Sequence, residues 1–167
     1  MEFRKANSND LDRIMDIIKQ AQDYLKVKEI DQWQNNYPNI NVIKNDIDIG
    51  DGYVLIIDNE IVATGAVSFR GEKTYERIYD GKWITEKEYG VIHRIAVDNK
   101  YKGKKLSGTI ITEIEKLCLE KNIKSIKVDT HDENESMKKM LANNGFIYCG
   151  VIYLENGSKR IAFEKIL

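Results

Sequence analysis

Val97-Asp98-Asn99-Lys100-Tyr101-Lys102-Gly103-Lys104-Lys105-Leu106-Ser107-Gly108 is the stretch on which the reading of this chain turns. Before it lies Tyr89–Val97, mostly apolar and suited to a strand buried on both faces. After it, Leu106, Ile110, Ile111, Ile114, Leu117 and Cys118 recur at helical spacing, which predicts a helix over about 105–121. Where a strand ends and a helix begins, the first helical N–H groups have no partner in the helix and carry the positive end of its dipole. Such a junction is an anion site by construction. Gly103, Ser107 and Gly108 are small enough for backbone to approach a diphosphate, and Lys102, Lys104 and Lys105 add positive charge around it. A solvated basic loop that merely starts a helix is the alternative. Neither the Walker form G-x-x-x-x-G-K-[ST] nor the dinucleotide form G-x-G-x-x-G occurs here.

Outward from this junction, 123–128 reads as a strand, so 89–128 forms a strand–helix–strand crossover of the kind that joins parallel strands. Asn134–Asn143 is a second helix, ended by Asn144-Gly145. The apolar runs 146–154 and 159–164 flank Glu155-Asn156-Gly157-Ser158, a hairpin signal. Toward the N-terminus, 3–6 is a short strand and Asn7-Ser8-Asn9-Asp10 suits a helix cap. Leu11, Ile14, Met15, Ile18, Ala21, Gln22 and Leu25 then mark an amphipathic helix, and a further helix is expected over about 40–49. Strands 52–58 and 61–69 make an antiparallel hairpin around Asp58-Asn59-Glu60. Residues 71–87 read as a long loop or a wide hairpin. The expectation is one mixed α/β domain over residues 1–167.

Composition bounds the function. The chain is 42% hydrophobic with a formal net charge of -1, enough for a packed core and without the positive field that non-specific nucleic-acid binding requires. Cys118 and Cys149 are too few and too far apart for a disulfide scaffold. They read as structural thiols in a reducing compartment. No apolar leader follows Met1, and no run approaches the ~18 apolar residues of a membrane helix, so a cytoplasmic location without membrane partners is expected.

The arrangement resembles the GNAT superfamily of N-acetyltransferases. Their signature is a central strand, then [Q/R]-x-x-G-x-[G/A] opening a long helix, then a strand, a helix and Gly-Phe. Here those parts are Ile95-Ala96-Val97, Lys102–Ser107, 126–129 and Gly145-Phe146. Lys102 stands where the family has Arg or Gln, and Lys105 and Ser107 replace glycines. The resemblance implies a mixed sheet of about seven strands with a splayed parallel pair, flanked by about four helices. It also implies acetyl-coenzyme A as co-substrate, held by Ile95, Ala96 and Val97 along the pantetheine arm and by Lys102, Gly103, Lys104, Lys105, Leu106, Ser107 and Gly108 at the diphosphate. Asn134 is either a further pantetheine contact or a helix cap.

The implied activity is acetyl transfer to an amine on a small molecule, an amino acid or a peptide, with a non-catalytic coenzyme A sensor as the alternative. A homodimer stands open beside a monomer. An alkyl amine costs roughly 4–5 kcal/mol to deprotonate at neutral pH, so a base helps. His93 is the candidate base, because strict strand alternation would give it the parity of Ile95 and Val97; a core histidine is the plainer reading. The family's usual Tyr acid falls on Leu141, which leaves Tyr148 and Tyr153 as alternative acids. Trp33, Tyr37 and His131 are candidate acceptor contacts. Two histidines at this separation do not make a metal site, and none is expected.

Overall fold

The computed structural model describes residues 1–167. Seven strands form one sheet in the order β1-β2-β3-β4-β5-β7-β6. They are β1 Glu2–Lys5, β2 Gly52–Ile57, β3 Glu60–Ser68, β4 Gly90–Val97, β5 Ser125–Thr130, β6 Ile147–Tyr153 and β7 Lys159–Ile166. The helices are α1 Leu11–Val27, α2 Ile40–Asp48, α3 Leu106–Glu120 and α4 Glu135–Asn143. The mixed sheet and the helix count agree with the sequence reading. One pair, β4 with β5, is parallel, in the register Gly90↔Ile126 and Val91↔Lys127. The chain resolves into two compact units, Met1–Val67 with His93–Glu113 and Ser68–Ile92 with Ile114–Leu167. No helix is long and apolar enough to cross a membrane.

In the first unit the local chemistry is explicit. Asn7 accepts from the Asn9 N–H, and Asp10 accepts from the Asn7 N–H, closing a capping box. Asp10 also takes a bidentate pair from Arg4, at 2.7 and 3.0 Å. The hydrogen bonds from Arg4 hold its carboxyl below the usual range, against the opposing effect of burial. Along α1, Ile14, Ile17, Ile18 and Leu25 are buried at helical spacing. Ile17 and Ile18, fully buried, are each worth roughly 2–3 kcal/mol of apolar transfer. α2 begins at Asn39, whose side chain accepts from the Asn41 and Val42 N–H groups. The β2–β3 turn places Asp58 and Asn59 at φ 50° and 63°, the two left-handed residues of a type I′ hairpin.

In the second unit β7 pairs antiparallel with both β5 and β6. Segment 71–87 is a loop rather than a hairpin. It carries a 3-10 turn at Lys73–Tyr75 and lies against β6 through the bridge Tyr79↔Val151. At Gly81 the approach is so close that a Cβ would stand 1.9 Å from the Cys149 carbonyl oxygen, so only glycine fits. Loop aromatics serve packing: Tyr75 is buried, and the Trp83 indole donates to the Tyr75 carbonyl at 2.8 Å. Lys127 Nζ lies 4.3 Å from the Trp83 ring centre and 4.0 Å from that of Tyr89. Glu164, fully buried, accepts from Ser125 Oγ and from the Ile84 N–H, both at 2.6 Å. These polar bonds tie the loop to the sheet.

Candidate functional site

The strand-to-helix turn is built as the sequence implies, with a backbone the sequence does not announce. A 3-10 turn, Asn99–Tyr101, leaves β4, and α3 starts at Leu106. Between them Gly103 has φ +80° and Lys105 φ +59°. Gly103 has open space where a Cβ would stand. Lys102, Gly103, Lys104 and Lys105 are exposed, Ser107 and Gly108 half-buried, and Leu106 packs inward. The Lys105 carbonyl accepts the Thr109 N–H at 3.2 Å, so the N–H groups of Leu106, Ser107 and Gly108 belong to the first turn of α3, ahead of the intrahelical ladder. Exposed backbone, a helix start and three lysines are the features that a diphosphate requires.

Lys105 occupies the left-handed region that a family glycine would fill without strain. That conformation costs a non-glycine residue about 1–2 kcal/mol, while glycine loses more entropy on folding. Lys105→Gly should therefore stabilise the protein by a net ~0.5–1 kcal/mol, raising Tm by ~1–4 °C in thermal melts.

Helix α1 braces the turn from below. Asp98, 2% exposed, accepts from Arg13 Nη2 at 2.6 Å, from Gln20 Nε2 at 3.2 Å and from the Lys100 N–H at 2.8 Å. Burial alone would raise the Asp98 carboxyl, but these hydrogen bonds outweigh it and hold it below the ordinary carboxylate range. Gln20 Oε1 accepts the Asn99 N–H at 2.7 Å. Lys102 Nζ sits 4.6 Å from the centre of the Tyr24 ring, and Tyr101 donates its hydroxyl to Glu60 at 3.2 Å.

Ile95, Ala96 and Val97 lie on β4 leading into this turn, with Ala96 buried and the others half-buried. Immediately before them Arg94 stands at φ +53°. A left-handed residue inside a strand breaks the period-two alternation, as a bulge does. The parity that tied His93 to Ile95 and Val97 therefore does not carry across Arg94; His93 itself is half-buried.

Arg94 is the feature the sequence reading missed. Its Nε and Nη2 donate to the two carboxylate oxygens of Asp46 at 2.6 and 2.7 Å, and Nη1 donates to the Tyr37 hydroxyl at 3.0 Å. The side chains of Arg94 and Asp46 are only 15% and 7% exposed. Burial opposes the Arg94 charge, but Asp46 outweighs it and keeps the guanidinium more firmly protonated than usual. One signal was present: an arginine in the otherwise apolar stretch 89–97, where a buried charge needs a partner. Of the candidate acceptor residues in this unit, Tyr37 joins the Arg94 network. Trp33, at φ +59°, packs against the core that includes Ile14, Ile17 and Ile18.

The remaining candidates lie in the second unit. Asn134 caps α4, its side chain accepting the Met137 N–H at 3.1 Å. His131 Nδ1 accepts the Glu133 N–H at 3.2 Å, which leaves Nε2 as the protonated nitrogen of the neutral ring. Leu141 is fully buried, and Tyr148 is exposed with its ring edge-on to Phe163. Tyr153 packs edge-on to Tyr79. No group of three or more His, Cys, Asp or Glu side chains is placed to hold a metal.

A strand that turns into a helix start with exposed backbone is a general anion-binding arrangement, and the comparisons with known proteins identify the family that carries it here. Residues 14–146, drawn from both units, match the sequence model of the acetyltransferase (GNAT) family. The chain belongs to that family. A GNAT-family acetyltransferase structure from Streptococcus agalactiae is 33% identical, with a TM-score of 0.92 over 99% of this chain and 95% of its own. One from Listeria monocytogenes is 21% identical, with a TM-score of 0.76 over 99% and 94%. A ribosomal-protein-alanine N-acetyltransferase from Brucella melitensis, at 15% identity and a TM-score of 0.69, covers the full length of both chains and shares the fold. No curated protein matches the sequence.

Proposed function

We propose that the chain moves an acetyl group from acetyl-coenzyme A to an amine by direct attack in a ternary complex. The observation that carries this is the turn in front of α3. Two left-handed residues, Gly103 and Lys105, expose backbone at a helix start ringed by Lys102, Lys104 and Lys105. The diphosphate would rest on the N–H groups of Leu106, Ser107 and Gly108, and backbone groups of Ile95 and Val97 would pair with the pantetheine arm. Acetyl-coenzyme A supplies a thioester whose thiol, near pKa 8.5, leaves tolerably without a proton donor. A backbone N–H of β4 would stabilise the oxyanion.

His93 is the proposed base on its position, half-buried on β4 two residues before the Ile95–Val97 stretch and one of only two histidines in the chain, rather than on strand parity. His93→Ala should flatten the acid limb of the pH–rate profile, because the imidazole accepts the amine proton only when it is itself unprotonated. A variant with the wild-type profile returns His93 to a packing role. Both cysteines are buried, which pushes the Cys118 thiol up to about 12 and also raises that of Cys149. They are too poorly ionised to act as nucleophiles, which supports direct attack. Mixing the protein with acetyl-coenzyme A alone should release no thiol until an amine is added; a burst before amine would contradict direct attack.

The second reading, a coenzyme A-binding sensor, draws on one observation. Leu141, where the family usually has its acid, is fully buried and apolar. Tight binding without thiol release would favour it.

A further inference from the structure

One face of α1 is matched, residue by residue, to the turn in front of α3. Arg13, Ile17, Gln20 and Tyr24 follow one another at four- and three-residue spacing, which puts them in a single stripe along the helix. Ile17 is buried in the core. The other three meet the turn in chain order: Arg13 at Asp98, Gln20 at Asp98 and Asn99, and Tyr24 at Lys102. Arg13 is itself anchored on β3, its Nε donating to the Ile61 carbonyl at 3.1 Å.

These bonds divide the backbone of the segment into two parts. The Asp98 N–H donates to the Val62 carbonyl, that of Asn99 to Gln20 Oε1 and that of Lys100 to Asp98 Oδ1. The Tyr101 and Lys102 N–H groups donate to the carbonyls of Asp98 and Asn99. Every N–H from 98 to 102 is thus held inside the protein, and the groups assigned above to the diphosphate come after them, at Leu106, Ser107 and Gly108. Only the Asn99 N–H relies on a helix elsewhere in the chain. Gln20 uses both ends of its amide there, with Nε2 donating to Asp98 Oδ2 at 3.2 Å and Oε1 accepting from Asn99 at 2.7 Å. The reverse orientation would set Nε2 against the Asn99 N–H and Oε1 against a carboxylate, so both partners fix the amide.

A backbone cradle binds tightly only when its N–H groups already converge, because ordering a loop on binding subtracts from affinity. Lys102, Gly103, Lys104 and Lys105 are exposed, so the turn is ordered from its inner side, where α1 lies. We propose that Gln20, with Arg13 acting through Asp98, is a positioning residue for the diphosphate of acetyl-coenzyme A: it fixes Asn99 so that the cradle is set before the ligand arrives, without itself contacting the ligand. This rests on the acetyl-coenzyme A reading above.

The test is calorimetric. Gln20→Ala should weaken coenzyme A binding about 5–10-fold. S-acetylpantetheine, which has the arm and the thioester but no diphosphate, should bind wild type and variant alike. A second substitution should restore what the first removes. Asp98 has φ −55° and ψ 138°, the extended backbone that a following proline demands, and Asn99 opens a 3-10 turn, where the fixed φ of proline fits. Asn99→Pro dispenses with the N–H that Gln20 holds and stiffens the turn by itself. The double variant Gln20→Ala with Asn99→Pro should therefore bind coenzyme A within about twofold of wild type. Should Gln20→Ala fail to fold, Gln20→Met, which keeps a stem of similar length, carries the same expectation. Unchanged coenzyme A affinity, an equal loss for S-acetylpantetheine, or no recovery in the double variant overturns this inference alone. Wild-type protein that binds no coenzyme A overturns the proposed function instead.

Discussion

Asp46→Ala should destabilise the protein by about 3 kcal/mol, lowering Tm by ~6–12 °C. Both carboxylate oxygens of Asp46 are engaged by Arg94, and the two side chains are 7% and 15% exposed. Removing one partner strands a buried guanidinium, and such losses fall in the range of about 3–5 kcal/mol. The lower end applies because the Arg94 side chain keeps 15% of its surface exposed, so water can reach part of the fork. Replacing both partners by apolar residues, Asp46→Leu with Arg94→Met, should recover most of the loss, because the desolvation cost of the pair disappears with it. Chemical denaturation of the single and double variants checks this. A single-variant loss below about 1 kcal/mol would mean that the pair is as weak as a surface salt bridge.

Ser107→Glu should weaken acetyl-coenzyme A binding by at least about 100-fold, or ~2.8 kcal/mol. Ser107 lies in the first turn of α3, behind the exposed lysines of the turn. A carboxylate there would stand against the diphosphate and compete for the same N–H groups. The same substitution suits the helix itself, since an acidic residue in a first turn gains about 0.3–1 kcal/mol from the dipole. Tm should accordingly hold or rise while binding falls, which separates loss of the site from loss of the fold. Calorimetry beside a thermal melt reads both quantities, and unchanged affinity would remove the turn from the binding site.

What was legible in the sequence was local. The repeat from Leu106 to Cys118 declares α3, Asp58-Asn59-Glu60 declares a hairpin turn, and Asn7-Ser8-Asn9-Asp10 declares a cap, because partners lie within four residues. The family motif likewise reads from a short run, 95–108, and the fold agrees with it. The parts that stayed hidden depend on partners far apart in the chain. Asp46 and Arg94 are 48 residues apart, and Arg13 and Asp98 are 85 apart. Nothing near either residue announces the other. The left-handed backbone at Arg94 was equally silent, since the residue type disfavours it, and it interrupts the alternation between His93 and Ile95. The attachment of loop 71–87 to β6 follows from Gly81 only once the Cys149 carbonyl is seen beside it. Leu141 was noticed as a missing tyrosine; its complete burial shows a position serving the core.

Thiol release from acetyl-coenzyme A across a pooled panel of small amines, amino acids and short peptides tests the account most directly. Release should depend on amine, be matched mole for mole by an acetylated amine in mass spectrometry, and be lost in Ser107→Glu. Tight binding of acetyl-coenzyme A with no thiol released across the whole panel would contradict acetyl transfer and leave a binding protein in its place.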